Sequence, residues 1–412
     1  MGLQDKTYTL RGCRAVVDAE GIRTDVNVVI EKGVIKHVGN EVEGDEVDCR
    51  GIVVIPGLVN AHTHSAMVAL RGYSDDKELP EWLKDVWEFE RSFPRDLMRV
   101  STEVAVLEMM ETGTTAFVDM YFNPEDVKDL SEKYGIRAQA GHVFLDSMFD
   151  PSEVERRQKS LTRTELFTPI VNVHSVYSVS PDTLRRAFEL SRELNQRIHI
   201  HVSETRKEVF QVKEKYGKFP VEYLVANGLP RGSQLVHLGW VTSWELNLIK
   251  NASAFPTYCP TSSMKLATAG TFPLYEATVK GLKVVLGTDG PASNNSLDMF
   301  REMKNAVLQQ RQNYWDTRVK AVDALRSATV YGYELLGVRG GLIREGYVAD
   351  LALLDGDQLY PFRPERLYSH IVYYATGEIV KGVIVNGRIL DKKHLREAKR
   401  ELVRRLEGLL PY

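Results

Sequence analysis

Short apolar runs alternate with longer segments of helical periodicity through the middle of the chain. Eight runs of strand length recur between residues 55 and 290: IPGLVNAHTH, TTAFVDMYF, IRAQAGHVF, PIVNVHSVYS, QRIHIHVSE, SQLVHLGW, SAFPTYCP and LKVVLGTDG. The segments between them place apolar residues at helical spacing, and they predict helices over 98–112, 124–134, 181–195, 205–216 and 296–312. Eight strands that are each followed by a helix predict an α/β fold of the (β/α)8 TIM barrel type, with a doubly wound open sheet as the competing fold.

The two ends of the chain have a different texture, with short β-branched segments separated by turn residues. Near the C-terminus, Asn386-Gly387 between two apolar runs is the signal of a type I′ hairpin. A helix with a basic face follows, over roughly 391–409. We therefore expect residues 1–56 and 343–412 to form one small β-sandwich domain with a closing helix, and residues 57–342 to form the barrel.

Composition excludes several classes of partner. The chain has 412 residues, 43% of them hydrophobic and 26% charged, which is ordinary for a globular protein. The formal net charge of −3 gives no basic footprint for nucleic acid, and no apolar run approaches the length of about 18 residues that a membrane span needs. The three cysteines have no paired spacing, and the N-terminal segment lacks the pattern of a signal peptide. We expect a cytoplasmic protein with no membrane or nucleic-acid partner.

Polar residues with metal-binding or acid–base chemistry lie at the ends of the predicted strands. They are His62, His64, His174, His201, Glu204, His237 and Asp289. His62 and His64 share one face because side chains alternate along a strand. In a (β/α)8 barrel the C-terminal strand ends meet at one mouth, so these residues converge there. Three imidazoles and a carboxylate around one point suit a zinc, iron(II) or manganese ion.

Each residue also has an ordinary structural interpretation. A single histidine on a strand is more often a buried core residue than a ligand. We interpret His199 in this way, because it shares a face with His201 but lies one layer deeper in the barrel, and we interpret Asp119 as structural. Glu204 also fits the start of a helix, where the helix dipole favours a negative charge. Its position three residues after His201 equally suits a carboxylate that transfers protons beside a metal-activated water.

Four stretches of the chain together resemble the amidohydrolase superfamily. They are PGLVNAHTH (56–64), HVSET (201–205), LGTDGPASNNSLDMF (286–300) and IREGYVADLALLD (343–355). The resemblance implies a metal-dependent (β/α)8 barrel flanked by a small β-sandwich, in a homo-oligomer that is a dimer or a tetramer. The fourth strand, VNVHSVYS, lacks the lysine of binuclear members, which implies one divalent metal per subunit. We expect Zn²⁺, with Fe²⁺ and Mn²⁺ as the alternatives that the same ligands suit. The implied metal ligands are His62, His64, His201 and Asp289.

Other stretches are similar to the 5-methylthioadenosine/S-adenosylhomocysteine deaminases, namely HTHSAMVALRGYSDD, LPEWLKDVWEFE, FVDMY and GTDGPASNN. That similarity implies hydrolytic deamination of an adenosine-type nucleoside by attack of metal-bound hydroxide on purine C6. Glu204 would protonate the ring, Asp289 would pass on the water proton, and His237 would support the new oxygen. The implied substrate-binding residues also include Glu90 on the ribose, with Glu88 as the other register, and His174 and Ser293.

Two departures from the pattern concern the substrate rather than the chemistry. After the seventh strand, Tyr258 and Ser263 replace the histidine and asparagine that are usual there. After the third strand, His142 stands where relatives that use S-adenosylhomocysteine can offer an arginine for its carboxylate. We expect His142 to contact the substrate, and Arg156 or Arg157 could take the role of the arginine. We therefore expect 5′-methylthioadenosine or a shorter 5′ group to be preferred over S-adenosylhomocysteine.

Two alternatives remain open. The same ligand set serves hydrolases of other rings, such as guanine, oxidised purines or triazines, and Glu90 is the residue that favours a nucleoside over them. The second alternative is a catalytically inactive scaffold protein, which the complete set of ligands and the acid–base glutamate disfavour.

Overall fold

The computed structural model of the protein describes residues 6–410. Its strands are β1 Thr7–Asp18, β2 Gly21–Glu31, β3 Val34–Gly39, β4 Asp45–Asp48, β5 Ile52–Pro56, β6 Leu58–Thr63, β7 Thr114–Asp119, β8 Arg137–Ala140, β9 Val143–Phe144, β10 Phe167–Pro169, β11 Val171–Ser175, β12 Ile198–Val202, β13 Gln234–His237, β14 Phe255–Tyr258, β15 Val285–Leu286, β16 Leu351–Asp355, β17 Val380–Val385 and β18 Arg388–Asp391.

The helices are α1 Leu79–Glu90, α2 Arg95–Glu111, α3 Pro124–Tyr134, α4 Pro151–Ser160, α5 Pro181–Leu194, α6 Arg206–Tyr216, α7 Pro220–Ala226, α8 Glu245–Asn251, α9 Pro260–Lys265, α10 Leu274–Val279, α11 Met299–Tyr314, α12 Ala321–Ala328, α13 Val330–Leu336, α14 Leu367–Ser369 and α15 Lys392–Leu409. Across residues 6–410, none of these helices combines the length and the apolar character that crossing a membrane requires.

Strands from both ends of the chain form one eight-stranded sheet. Its order is β18-β17-β16-β5-β1-β2-β3, and β4 pairs with β1. Val385 pairs with Arg388 across a two-residue turn in which Asn386 and Gly387 both have positive φ, 49° and 75°. This geometry confirms the hairpin that the Asn-Gly pair predicts.

The middle of the chain forms two parallel sheets whose strands alternate with helices. One has the order β10-β8-β7-β6 and the other β15-β14-β13-β12-β11-β9. Only residues 141–142 separate β8 from β9, and only Ile170 separates β10 from β11, so each pair continues one strand direction from the first sheet into the second. On the opposite side, the backbone N–H of Asp289 donates to the carbonyl of His62 at 3.0 Å. The C-terminal ends of these strands are thereby held close together.

The five helices predicted in this region are present, and their ends follow local capping. Helix α5 begins after Ser180, whose hydroxyl accepts a hydrogen bond from the Thr183 N–H, and ends at Asn195 in the left-handed conformation. Helix α11 begins at Met299 rather than near 296, because the Asp298 carboxylate caps it by accepting from the Phe300 N–H.

A buried ion pair links the parallel strands to the sheet built from the chain ends. Arg137 Nε of β8 lies 2.6 Å from Asp350 Oδ2, and both side chains are buried. Asp350 also accepts from the Asn386 N–H at 2.7 Å and from the Tyr333 hydroxyl at 3.1 Å. Because each polar group has a partner, this junction fixes the two parts of the molecule relative to each other.

Candidate metal and catalytic site

Four side chains from three strand ends converge on one point. One ligand atom of each of His62, His64, His201 and Asp289 lies within 4.8 Å of the others. Asp289 Oδ1 is 3.3 Å from His62 Nε2 and 3.1 Å from His64 Nε2. His201 Nε2 is 3.1 Å from His62 Nε2. The structure therefore brings together the three imidazoles and the carboxylate that the sequence resemblance implies as ligands.

The surrounding hydrogen bonds orient two of these rings so that their Nε2 lone pairs face the common point. His64 Nδ1 lies 2.6 Å from the Met120 carbonyl, and His201 Nδ1 lies 2.5 Å from the His174 carbonyl. A carbonyl can only accept, so Nδ1 carries the proton and Nε2 is free to bind a cation. The donor set of three nitrogens and one carboxylate oxygen fits a divalent metal of the zinc, iron(II) or manganese type.

Asp289 is held by two serine hydroxyls. Ser262 and Ser293 both donate to Asp289 Oδ2, at 2.5 and 2.9 Å, which leaves Oδ1 directed at the imidazoles. Ser293 therefore binds the carboxylate in this structure, rather than lining the pocket as predicted for a substrate contact. Ser262 was not singled out in the sequence, where it adjoins the unusual Ser263. Tyr258 is buried with its hydroxyl against Gln309, away from the pocket lining.

Several non-glycine residues at these strand ends have left-handed backbone conformations. Ser203, His237, Leu238 and Asp289 have φ of 52°, 74°, 54° and 62°. Such conformations cost about 1–3 kcal/mol each and persist only where surrounding contacts impose them. They turn the chain sharply as it leaves each strand, and the side chains of His237 and Asp289 line the same pocket.

Glu204 and His237 lie beside the four ligand candidates. Glu204 Oε1 is 3.8 Å from His237 Nε2, and both side chains are buried. Burial, with a further contribution from the Asp289 carboxylate, raises the pKa of Glu204 to about 8. Burial lowers the pKa of His237, which favours a neutral imidazole. A neutral carboxyl group next to a neutral imidazole can donate and accept protons near neutral pH.

Glu208 supports the backbone at Glu204, a contact that the sequence analysis does not predict. Its carboxylate accepts hydrogen bonds from the backbone N–H groups of Ser203 and Glu204 at 2.8 and 2.9 Å, and so it fixes the backbone that carries the Glu204 side chain. Its own N–H donates to Thr205 Oγ1 at 3.1 Å. The sequence pattern Thr205-x-x-Glu208, which is typical of a capping box at the start of a helix, could have identified it.

A pocket opens above these groups, and Glu90 lies at its wall. Glu90 is the last residue of α1, where it follows Leu79, Trp82 and Val86 on the buried face of the helix. Its Oε1 accepts the Tyr121 hydroxyl at 2.7 Å, and burial raises its pKa to about 7. Glu88 is exposed, so only Glu90 of the two registers reaches the pocket.

His174 also lines the pocket, between the ligand candidates and α1. Its ring centroid lies 5.1 Å from that of His201 and 5.9 Å from that of Trp87. Burial lowers its pKa to about 3, so the ring is neutral. The remaining wall is mostly apolar and aromatic: Met67, Leu79, Trp82, Leu83, Val86, Trp87, Met120, Tyr121, Phe122, Val143, Leu145, Tyr177 and Leu266.

His142 and Arg156 do not reach this pocket. His142 points to Glu125, with 3.1 Å between Nε2 and Oε1, and lines a separate cavity behind Phe122 and Val143. Arg156 lies on the exposed side of α4, where its guanidinium pairs with Glu153 at 2.6 Å. The direct substrate contacts predicted for these two residues are therefore not made in this arrangement, because each side chain is turned toward a carboxylate outside the pocket.

Comparison with known proteins gives consistent matches over nearly the full chain. The family model described as "Amidohydrolase family" matches residues 53–390. A 5-methylthioadenosine/S-adenosylhomocysteine deaminase of Pyrococcus furiosus is 38% identical over 387 residues, which cover 90% of this chain and 91% of that protein. A 5'-deoxyadenosine deaminase of Methanothermobacter thermautotrophicus is 37% identical over 94% of this chain and 93% of its own length.

Among solved structures, an adenosine deaminase from Xanthomonas campestris with bound zinc superimposes with a TM-score of 0.90. The match covers 98% of this chain and 99% of the other, at 28% sequence identity.

Proposed function

Because the chain belongs to the amidohydrolase family, we propose that it is a metal-dependent hydrolytic deaminase of adenosine-type nucleosides. It is a hydrolase that acts on the carbon–nitrogen bond of a cyclic amidine, and its substrate is a small nucleoside. The observation that carries the proposal is a single pocket lined by His64, His201 and Asp289 of the four-residue cluster, by Glu204 and His237, and by Glu90. In such a pocket the acid–base groups and a bound metal could act at the purine amino group, and the Glu90 carboxylate could bind the ribose hydroxyls.

The family and its structural relatives give this chain a TIM-barrel-type fold. We propose that the two parallel sheets are one closed (β/α)8 barrel. The near-continuous pairs β8/β9 and β10/β11 and the hydrogen bond from Asp289 to His62 support closure. The domain division at residues 56 and 342, with a β-sandwich formed by both chain ends, is part of the same proposal.

We propose His62, His64, His201 and Asp289 as the residues that hold the divalent metal, with zinc as its identity. The three imidazole nitrogens and the carboxylate support zinc, as does the zinc in the matched deaminase structure. When bound, such an ion supplies Lewis acidity and lowers the pKa of a coordinated water toward neutrality.

The proposed proton transfers use three residues of this chain. Glu204, whose raised pKa keeps it protonated at neutral pH, donates its proton to purine N1. Asp289 accepts a proton from the attacking water and passes it to the leaving amino group, which departs as ammonia. The neutral His237 hydrogen-bonds the new oxygen on C6. As the new C6 hydroxyl becomes a carbonyl, its remaining proton passes to the Glu204 carboxylate and restores the acid. The net reaction consumes one water, releases one ammonia and converts the amino group into a carbonyl.

The pocket lining supports a small, uncharged 5′ substituent. None of the described residues that line it is Lys or Arg, and the buried His174 is neutral. Within this pocket the homocysteine carboxylate of S-adenosylhomocysteine would meet no cationic side chain, which is unfavourable for a buried charge. Arg206 and Lys207 line only the adjoining cavity. A methylthio group or a hydrogen suits the wall of Phe122, Val143 and Leu145. We propose 5′-methylthioadenosine and 5′-deoxyadenosine as the preferred substrates.

An ammonia-release assay across a substrate panel tests the proposal. The panel is 5′-methylthioadenosine, 5′-deoxyadenosine, adenosine, S-adenosylhomocysteine, guanine and cytosine. We expect kcat/KM for 5′-methylthioadenosine to exceed that for S-adenosylhomocysteine by about tenfold or more. A tenfold ratio corresponds to about 1.4 kcal/mol, which is the least that we expect an unpaired carboxylate in the pocket to cost. Equal values would refute the 5′ preference alone. Turnover of free bases without nucleosides would instead identify a different ring hydrolase.

We also propose a cytoplasmic homo-oligomer. The three cysteines are free and buried, which fits a reducing compartment. A dimer or a tetramer is the expected assembly, and light scattering after gel filtration measures it directly.

A further inference from the structure

His62 differs from the other two imidazole ligand candidates in what holds its second nitrogen. Backbone carbonyls hold Nδ1 of His64 and of His201. Nδ1 of His62 instead faces another side chain, His199 Nε2, at 2.9 Å. An imidazole can donate or accept at either nitrogen, so this contact alone does not say where the proton lies. The next residue along the chain of hydrogen bonds settles it.

Asn172, on β11, fixes the direction of the whole chain of hydrogen bonds. Its Nδ2 lies 2.8 Å from the Gly141 carbonyl and 3.2 Å from the Asp119 carbonyl. Both carbonyls only accept, so the amide nitrogen must face them and Oδ1 must face the other way. Oδ1 lies 2.9 Å from His199 Nδ1, which must therefore carry a proton and donate it.

The proton positions of both histidines follow. A neutral His199 with a proton on Nδ1 has a lone pair on Nε2, so it accepts from Nδ1–H of His62. His62 then has its own lone pair on Nε2, directed at Asp289 Oδ1 and His201 Nε2. The side chains of Asn172, His199 and His62 are fully buried, so water does not compete for these hydrogen bonds.

We propose that Asn172 and His199 are positioning residues that hold His62 in the tautomer able to bind metal. The inference rests on the proposed metal site. Without this arrangement His62 has an alternative, because a proton on its Nε2 could be donated to Asp289 Oδ1, 3.3 Å away. In that tautomer His62 Nε2 carries a proton and Asp289 Oδ1 accepts it, so neither atom has that lone pair free for the metal. Asn172 and His199 exclude it by leaving the Nδ1 position of His62 facing an acceptor.

The proton positions can be measured directly on the wild-type zinc-loaded enzyme. Long-range ¹H–¹⁵N correlation spectra of protein labelled at histidine distinguish protonated from unprotonated ring nitrogens, and His199→Gln and other single histidine variants assign the signals. We expect both His62 and His199 to be protonated at Nδ1. A proton on Nε2 of His199 overturns the proposal, whatever any variant does.

Two substitutions at position 199 separate positioning from packing. Leucine fills similar space but offers no acceptor, so the buried Nδ1–H of His62 loses its partner and the proton is expected to move to Nε2. Glutamine can accept from His62 through Oε1 while it donates to Asn172. We expect His199→Leu to weaken Zn²⁺ binding about 10- to 100-fold in a chelator competition, and His199→Gln to remain within about threefold of wild type. Asn172→Leu should also weaken Zn²⁺ binding. His199 then has no acceptor for a proton on Nδ1, so it can adopt the other tautomer, with the proton on Nε2.

Thermal melting of the metal-free variants reports any loss of packing separately from Zn²⁺ affinity. If His199→Leu lowers the melting temperature but binds Zn²⁺ as tightly as wild type, the residue is only structural and the proposal fails. If wild-type protein itself binds neither zinc, iron(II) nor manganese, the proposed function fails instead. These outcomes are therefore distinguishable.

Discussion

Glu204 is the residue with the clearest single chemical task, because it is the buried acid nearest the neutral His237. Its replacement by glutamine keeps the shape of the side chain but removes the transferable proton. We expect Glu204→Gln to lower kcat by roughly 100- to 10,000-fold, the usual contribution of general acid–base catalysis. Bound zinc should remain stoichiometric, because Glu204 is not among the four converging donors.

Steady-state turnover and elemental analysis of the same sample test this expectation. Glu214→Gln is a control, since Glu214 lies on the exposed face of α6, the helix that begins two residues after Glu204. Near-normal turnover of Glu204→Gln would show that another group protonates the ring.

The raised pKa of Glu90 leads us to expect that substrate binding, rather than the chemical step, changes with pH through this residue. Burial raises its pKa to about 7, against the opposing effect of the Tyr121 hydroxyl that donates to it. In the proposed ribose contact, the ionised carboxylate would accept hydrogen bonds from both ribose hydroxyls, whereas the protonated form would have lost one acceptor. As the pH falls below about 7, the ionised fraction falls, so KM should rise by up to about tenfold per pH unit.

KM measured between about pH 5.5 and pH 8.5 tests this, with the range chosen to bracket the raised pKa. Glu90→Gln should have a higher KM that no longer changes with pH in this range. Glu88→Gln should behave as wild type, because Glu88 is exposed on the same helix. A wild-type KM that is flat across the range would argue against a ribose contact by Glu90.

At the scale of elements, the strand-end residues could be predicted from sequence because strand geometry is periodic. His62 and His64 on one face, and His201 followed by Glu204, depend only on local spacing and on where parallel strands end. Helix α5 could be located for a similar reason, since its Ser180 cap lies next to it in sequence. Each of these signals is contained within a few residues.

Contacts between distant segments could not be predicted in this way. The burial of His199 follows from its place on an apolar strand, but its contact with His62 joins residues 137 positions apart. The hydrogen bond from Ser262 to Asp289 and the outward direction of Arg156 depend equally on how elements pack. The helical character of α1 was also missed, although Leu79, Trp82 and Val86 already have helical spacing.

Gly287, directly after β15, packs against His62 of β6 with no room for a side chain. A Cβ added there would lie 2.7 Å from His62 N and 2.8 Å from His62 Cβ, closer than packed atoms tolerate. Gly287→Ala should therefore push His62 away from Asp289. We expect a loss of about 1–3 kcal/mol in the free energy of unfolding, as for other overpacked sites, together with weaker zinc binding.

Chemical denaturation and chelator competition measure the two effects. Gly21→Ala is the matched control, because a Cβ at Gly21 meets no atom within 4 Å and its φ is not positive. If Gly287→Ala has the same free energy of unfolding and the same zinc affinity as wild type, the strands can separate without consequence. The tight packing at this position then does not align the proposed ligands.

At the scale of the whole molecule, the ion pair of Arg137 and Asp350 couples the catalytic strands to the sheet formed by the chain ends. Arg137→Met keeps much of the volume but leaves the Asp350 carboxylate buried without its cation. Breaking a buried pair in this way typically lowers the free energy of unfolding by about 3–5 kcal/mol. Arg156→Met breaks an exposed pair with Glu153 and should change the free energy of unfolding by less than about 1 kcal/mol.

Urea titrations of the two variants compare these effects, and kcat at a temperature below both transitions separates stability from catalysis. We expect kcat of Arg137→Met to stay close to wild type there, because Arg137 does not line the pocket. A large loss of kcat in folded Arg137→Met would mean that the end sheet shapes the strand ends around the metal ligands. Equal stability of the two variants would mean that the buried pair contributes no more than an exposed one, so that apolar packing alone holds the two parts together.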